Sequence, residues 1–143
     1  MSRGLIHHLG KVAMFSRRLI LIAAAAASLL AAVPAFALEP QPFDAKAFDA
    51  AQKAGKPIIL GIHASWCPIC KAQKPILSEL MADPKFKDLT YFVIDFDSQK
   101  DLVQRFSVRM QSTLIAFKGA AERGRSVGDS NRTSIAALLN KVL

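Results

Sequence analysis

The chain has 143 residues, 52% of them apolar, with 19 Lys and Arg against 11 Asp and Glu. That length supplies one domain and excludes two full cores. The basic residues are scattered in pairs (Lys53 and Lys56, Lys71 and Lys74, Lys85 and Lys87, Arg123 and Arg125), with no basic stripe interleaved with aromatics, which excludes a nucleic-acid surface and leaves a solvated one.

The N-terminal segment differs in composition from the rest. A basic stretch, "KVAMFSRRL", leads into the uncharged run "LILIAAAAASLLAAV" from Leu19 to Val33, and the small-x-small triplet "AFA" closes it at residues 35–37. Basic, then apolar, then small is the order of a secretory signal peptide. The apolar run is 15 residues long, short of the roughly 20 needed to span a bilayer. Residues 1–37 are therefore expected to be a cleaved signal and residues 38–143 the mature domain. Met14 offers an alternative start that makes the signal more compact. "SRRLIL" is a weak match to the twin-arginine export pattern. Cleavage removes Arg3, Lys11, Arg17 and Arg18, halving the excess positive charge. The expected location is periplasmic or secreted, with no stable membrane association after processing.

Pro40 and Pro42 make "LEPQPF" a short extended lead-in. Asp44 is placed to cap a helix over "AKAFDAAQKAG" that stops at Gly55. "KPIILGIHA" is an apolar, β-rich run of strand length, as suits a strand covered on both faces. "CPICKAQKPILSELM", Cys67 to Met81, has helical spacing, with Ile69, Ile76, Leu77 and Leu80 for the core face and Pro75 as a kink. "LTYFVIDFD", residues 89–97, is a second strong strand. "SQKDLVQRF" is a short helix capped from Ser98, with Asp101 three residues on. "TLIAFKG", residues 113–119, is a third strand that turns at Gly119, and "ERGRSVG" is its antiparallel partner. "SNRTSIAALLNKVL" closes the chain as an amphipathic helix. Strands alternating with helices predict a single α/β domain with a central mixed sheet of four to five strands flanked by helices.

Cys67 and Cys70 are the only cysteines in the chain. At the first turn of a helix the sulfur of Cys67 faces unpaired backbone N–H groups and the positive end of the helix dipole, and both favour thiolate. Cys70 is one turn on, on the same face and expected to be more covered, close enough for a disulfide. Cys67 is thus the candidate nucleophile toward a substrate disulfide and Cys70 the candidate resolving thiol. A structural staple explains the placement poorly: closing a loop of about four residues gains roughly 2 kcal/mol, and the helix already holds those residues together. A closed zinc site needs four N or S donors, and the mature chain offers two Cys and one His. Two thiolates with His63 as a third ligand support a second reading, a copper-handling or partner-binding module without redox turnover.

The order of elements, with "ASWCPICK" at the junction of the second strand and second helix, resembles the thioredoxin family over essentially the whole mature domain. Pro75, eight residues after Cys67, matches the proline that kinks the family's active-site helix, and "SVRMQSTLIAFKG" aligns with its later loop and strand. The resemblance implies a thioredoxin-like fold and thiol-disulfide oxidoreductase activity with no cofactor beyond the Cys67–Cys70 disulfide. It implies cysteine-containing exported proteins as substrates and a thiol electron donor or acceptor that the sequence does not name. It also implies that Ser112 and Thr113 face the cysteines, that Thr113 offers backbone contacts to a bound peptide, and that Trp66 shields the site beside Pro68. Three positions depart from the family pattern. Ser112 stands where a cis-proline is normal; a trans Gln111–Ser112 bond is expected, because cis without proline costs about 3 kcal/mol. Gly61 stands where a buried acid is frequent. His63 stands at an aromatic position, either sharing a proton with the cysteine pair or packing as a strand-end imidazole. Asp95 and Asp97 are expected to be solvated loop-side carboxylates, and Lys71 to face solvent. Whether the pair runs as reductant or oxidant is open at this level.

Overall fold

The structure, a computed structural model, describes residues 39–143; the expected signal, the start at Met14 and the cleavage point lie outside the described residues. The lead-in forms a two-residue strand, β1 (Gln41–Pro42). Asp44 caps helix α1 (Ala45–Lys53), its side chain accepting from the Ala47 amide at 2.7 Å. Gly55 follows in the left-handed region, at φ +67°, a backbone conformation that glycine adopts without penalty. Strand β2 (Pro57–His63), helix α2 (Pro68–Met81) and a 3₁₀ turn (Pro84–Phe86) come next. Strand β3 (Thr90–Asp95), helix α3 (Lys100–Arg105), strands β4 (Thr113–Lys118) and β5 (Ala121–Val127) and helix α4 (Arg132–Asn140) complete the domain.

The five strands form one sheet in the order β1-β3-β2-β4-β5. Strand β3 runs parallel to both β1 and β2, whereas β4 runs antiparallel to both β2 and β5. Strand β2 lies at the centre, and its first six residues are all buried. Side chains alternate along a strand, so Ile58, Leu60 and Ile62 go to one face and Ile59 and Gly61 to the other. The first face packs Phe48, Phe92, Phe117 and Val103 under α1 and α3, with Phe43 and Phe106 at its margin. The second packs Leu77 and Met81 of α2 with Ile135, Leu138 and Leu139 of α4 over Leu114 and Ala116. Helix α2 is thereby held against the sheet with its N-terminus at the C-terminal end of β2, which places the cysteines beyond the end of the central strand.

Three local expectations change. Ile69 is 40% exposed and faces away from the core; Gln73, Leu77 and Met81, at steps of four, form the buried stripe instead. Ser98 does not cap α3, whose N-cap is Gln99 with no side-chain cap bond, because Asp95 captures both the amide and the hydroxyl of Ser98. Helix α2 starts at Pro68, with Cys67 as its N-cap; proline suits that first position, where its missing N–H is no loss and its φ is already helical.

Candidate active site

The sulfur of Cys67 does what an N-cap oxygen does elsewhere: it accepts the amide N–H of Cys70, at 3.2 Å. The hydroxyl of Ser112 brings the two cysteines together from the opposite side. Its Oγ lies 2.9 Å from Cys67 Sγ and 3.1 Å from Cys70 Sγ. A hydroxyl has one proton to give, and an ionised Cys67 takes it. Burial pushes the Cys67 thiol up, but hydrogen bonds from the Cys70 thiol, the Ser112 hydroxyl and the amides of Cys70 and Ile69 outweigh it, and the net effect is a lowered pKa. Burial pushes Cys70 up, and its hydrogen bond to Cys67 adds to that. The two thiols are driven apart, one toward thiolate and one held protonated.

The order of exposure is the reverse of that expected. Cys67 exposes 1% of its surface and Cys70 is half-buried. Ser112, itself buried, lies with its hydroxyl against the Cys67 sulfur. Ser112 has φ +60°, the left-handed region, and no peptide bond among the described residues is cis. Its carbonyl accepts from the Gly128 amide at 3.0 Å and from Gln73 Nε2 at 3.2 Å. The same Gln73 amide donates to the carbonyl of Asp129 at 2.7 Å. Gln73 therefore clamps the Ser112 loop and the entry to α4 onto the active-site helix. Sequence reading missed it, although its phase with Leu77 and Met81 marks it as inward-facing.

Thr113 does not turn its side chain to the cysteines. It is the first residue of β4, paired between Ile62 and Val127, and its hydroxyl donates to the Met110 carbonyl at 2.7 Å. Ser112, the residue before the strand, is the one whose side chain reaches both sulfurs. His63 is exposed at the end of β2, in register with Asp95. Its charge is among the influences that lower the Asp95 carboxyl, after the Ser98 hydroxyl and amide. Among the described residues no three His, Cys, Asp or Glu side chains are placed to share a metal ion.

Trp66 is 57% exposed, and its indole Nε1 donates to Asp97 Oδ2 at 2.7 Å. Asp97 is thus more than a solvated carboxylate: it holds the ring beside the cysteines across 31 residues of chain, a link that no sequence pattern reveals. Asp95, through Oδ1, accepts the Asp97 and Ser98 amides and shapes the turn that carries Asp97. Loss of one such hydrogen bond is worth about 1 kcal/mol, or roughly fivefold. Asp97→Ala is expected to lower kcat/KM for disulfide reduction by that factor. It should also shift the tryptophan emission, which reports Trp66 alone because the chain has one tryptophan. An unchanged emission spectrum would show that Asp97 does not set the position of the ring.

A family model described as Thioredoxin matches residues 39–141. The chain belongs to the thioredoxin family. Its catalytic class is that of the family, thiol-disulfide oxidoreductase, and the Cys67–Cys70 pair stands at the family's CxxC position. Among similar thioredoxins, Thioredoxin Asp f 29 of Aspergillus fumigatus is 31% identical over 86 residues, covering 59% of this chain and 78% of that protein. The thioredoxin of Chlamydia trachomatis serovar D is 33% identical over 84 residues, covering 59% of this chain and 80% of that one. The crystal structure of Trxlp from Edwardsiella tarda superposes with a TM-score of 0.68 at 38% identity, covering 71% of this chain and 98% of that chain. The thioredoxin fold accounts for the five-stranded mixed sheet. Within that fold, Ser112 at φ +60° occupies the place opposite the cysteines.

Proposed function

We propose that this chain is an exported thioredoxin-family oxidoreductase that exchanges disulfides with cysteine-containing exported proteins through Cys67 and Cys70. The observation that carries the assignment of roles is the shared Ser112 hydroxyl together with the opposite shifts of the two thiols. The Cys67 thiolate attacks one sulfur of a substrate disulfide, the other sulfur leaves with the electron pair, and a mixed disulfide forms. Cys70 then attacks Cys67, and the second substrate sulfur leaves. An incoming sulfur reaches Cys67 by taking the place of the Ser112 hydroxyl. Trp66, Ile69 and Met110, all exposed, give the surroundings an apolar character suited to an extended, partly unfolded client. A separate thiol donor or acceptor resets the pair.

Export rests on the basic, apolar and small-residue order of residues 1–37. Expression of the full chain in a Gram-negative host, followed by fractionation and N-terminal sequencing, tests it. The expected product starts at Leu38 and lies in the periplasmic fraction. An uncleaved product confined to the cytosol would overturn the exported half of the proposal and leave the redox class standing.

A further inference from the structure

The second half of the exchange needs a proton to leave Cys70. Burial and the neighbouring Cys67 both hold that proton in place. Cys70 borders a cavity of about 430 Å³ between α2 and the sheet, lined also by Gly61, His63, Lys74, Tyr91 and Glu39. A β-carbon built on Gly61 would lie 2.7 Å from the Tyr91 hydroxyl oxygen, so the phenol fills the space that a side chain at 61 would take. Glycine at 61 is what admits it.

We propose that Tyr91 is the proton-relay residue for Cys70, acting through water in this cavity during resolution of the mixed disulfide. The cavity is roomy enough for water and has polar partners for it. In the step itself, Cys70 gives its proton to cavity water. The Tyr91 oxygen accepts a proton on one side and releases its own on the other, ending neutral as it began. The Cys70 thiolate then forms the S–S bond to Cys67, the bond from Cys67 to the substrate sulfur breaks, and that sulfur leaves as thiolate and is protonated from solvent. Tyrosine is neither oxidised nor reduced. The titratable groups lining the cavity are Glu39 beside β1, His63 from β2, Cys70 and Lys74 from α2 and Tyr91 from β3, with the uncharged polar Gln73 and Ser78 beside them on α2; β4 contributes only Leu114. Burial, and then charge on Cys70, push the pKa of Tyr91 up to about 12. At that value it stays a neutral phenol across the working range, able to donate and accept at once. His63 is exposed and faces Asp95 instead.

The inference rests on the proposed roles of Cys67 and Cys70, and stopped-flow reaction of the reduced protein with DTNB separates the two. Release of the first thionitrobenzoate reports attack by Cys67, and release of the second reports resolution by Cys70. Tyr91→Phe is expected to leave the first phase unchanged and to slow the second by about tenfold near neutral pH, a modest share of what proton-transfer catalysis supplies. The second phase should recover as pH rises through the raised pKa of Cys70, where that thiol ionises unaided. Tyr91 is the only tyrosine in the chain, so replacing all tyrosine with difluorotyrosine lowers the pKa of this phenol alone while keeping its shape. In that protein the pH profile of the second phase should move and the first phase should not. Second-phase profiles unchanged in both proteins overturn the relay, as does slowing by His63→Gln in place of Tyr91→Phe. A wild-type protein that releases no second thionitrobenzoate overturns both the relay and the roles on which it rests.

Discussion

Cys67→Ser is expected to lower the rate of insulin disulfide reduction on the order of a thousandfold or more, as loss of a catalytic nucleophile does. A hydroxyl at 67 would keep the hydrogen-bond geometry of the helix start, but its oxygen is not ionised at neutral pH and does not exchange with sulfur. Cys70→Ala should behave differently: the first attack proceeds and the reaction stops at a mixed disulfide on Cys67, visible as a mass increase of the trapped partner. Equal rates for wild type and Cys67→Ser would sink the assignment. The lowered pKa of Cys67 also fixes the sign of the pH dependence. Thiolate is lost only as pH falls through that lowered value, so alkylation of reduced Cys67 by iodoacetamide should persist to lower pH than that of an unperturbed cysteine. A free cysteine, with a pKa of about 8.5, has by then lost most of its reactivity. Cys70, shifted upward, should react more slowly than Cys67 throughout that range.

The fold was legible where hydrophobic period and punctuation agreed. Ile58 to Ile62 form an unbroken apolar run because β2 is covered on both faces, and Asp44 and Gly55 mark the ends of α1 by chemistry that is local in sequence. The active-site helix was legible in its position and less so in its phase. Ile69 looked like a core residue, yet the buried stripe is set by Gln73, Leu77 and Met81. A buried glutamine is invisible to an apolar-period search because its inward position depends on two carbonyls, at Ser112 and Asp129, supplied by distant loops. The same limit hid the Trp66–Asp97 pair. It also hid the closeness of Tyr91 to Gly61, which arises because β2 and β3 are neighbours with Ile59 opposite Tyr91. The sequence showed that Gly61 and Ser112 were unusual; what stands in the space they leave required the strand register and the backbone angles.

Ser112→Pro is expected to destabilise the protein by about 3 kcal/mol, the scale on which proline disrupts a conformation it cannot adopt. Proline fixes φ near −65°, whereas Ser112 holds φ +60°, and it also pushes the residue before it, Gln111, out of part of its range. The loop that would have to move is tied by the Gly128 amide and the Gln73 side chain to the Ser112 carbonyl, so the strain reaches both the active-site helix and the approach to α4. Urea denaturation reads the loss; a midpoint equal to wild type would mean that the loop is not held as described. Ser112→Gly separates backbone from chemistry. Glycine takes the left-handed region without penalty, so the fold should survive, while the hydroxyl between the sulfurs is gone. The reduced state then loses a hydrogen bond to its thiolate, worth about 1.5 kcal/mol, and the reduction potential of the pair should fall by roughly 30 mV. The sign follows from linkage: whatever stabilises the Cys67 thiolate stabilises the dithiol form and makes the disulfide the better oxidant, so removing it makes the pair more reducing. A potential that rises, or stays fixed while the fold is intact, would place the control of this pair in the helix amides alone and leave Ser112 a purely steric cover over Cys67.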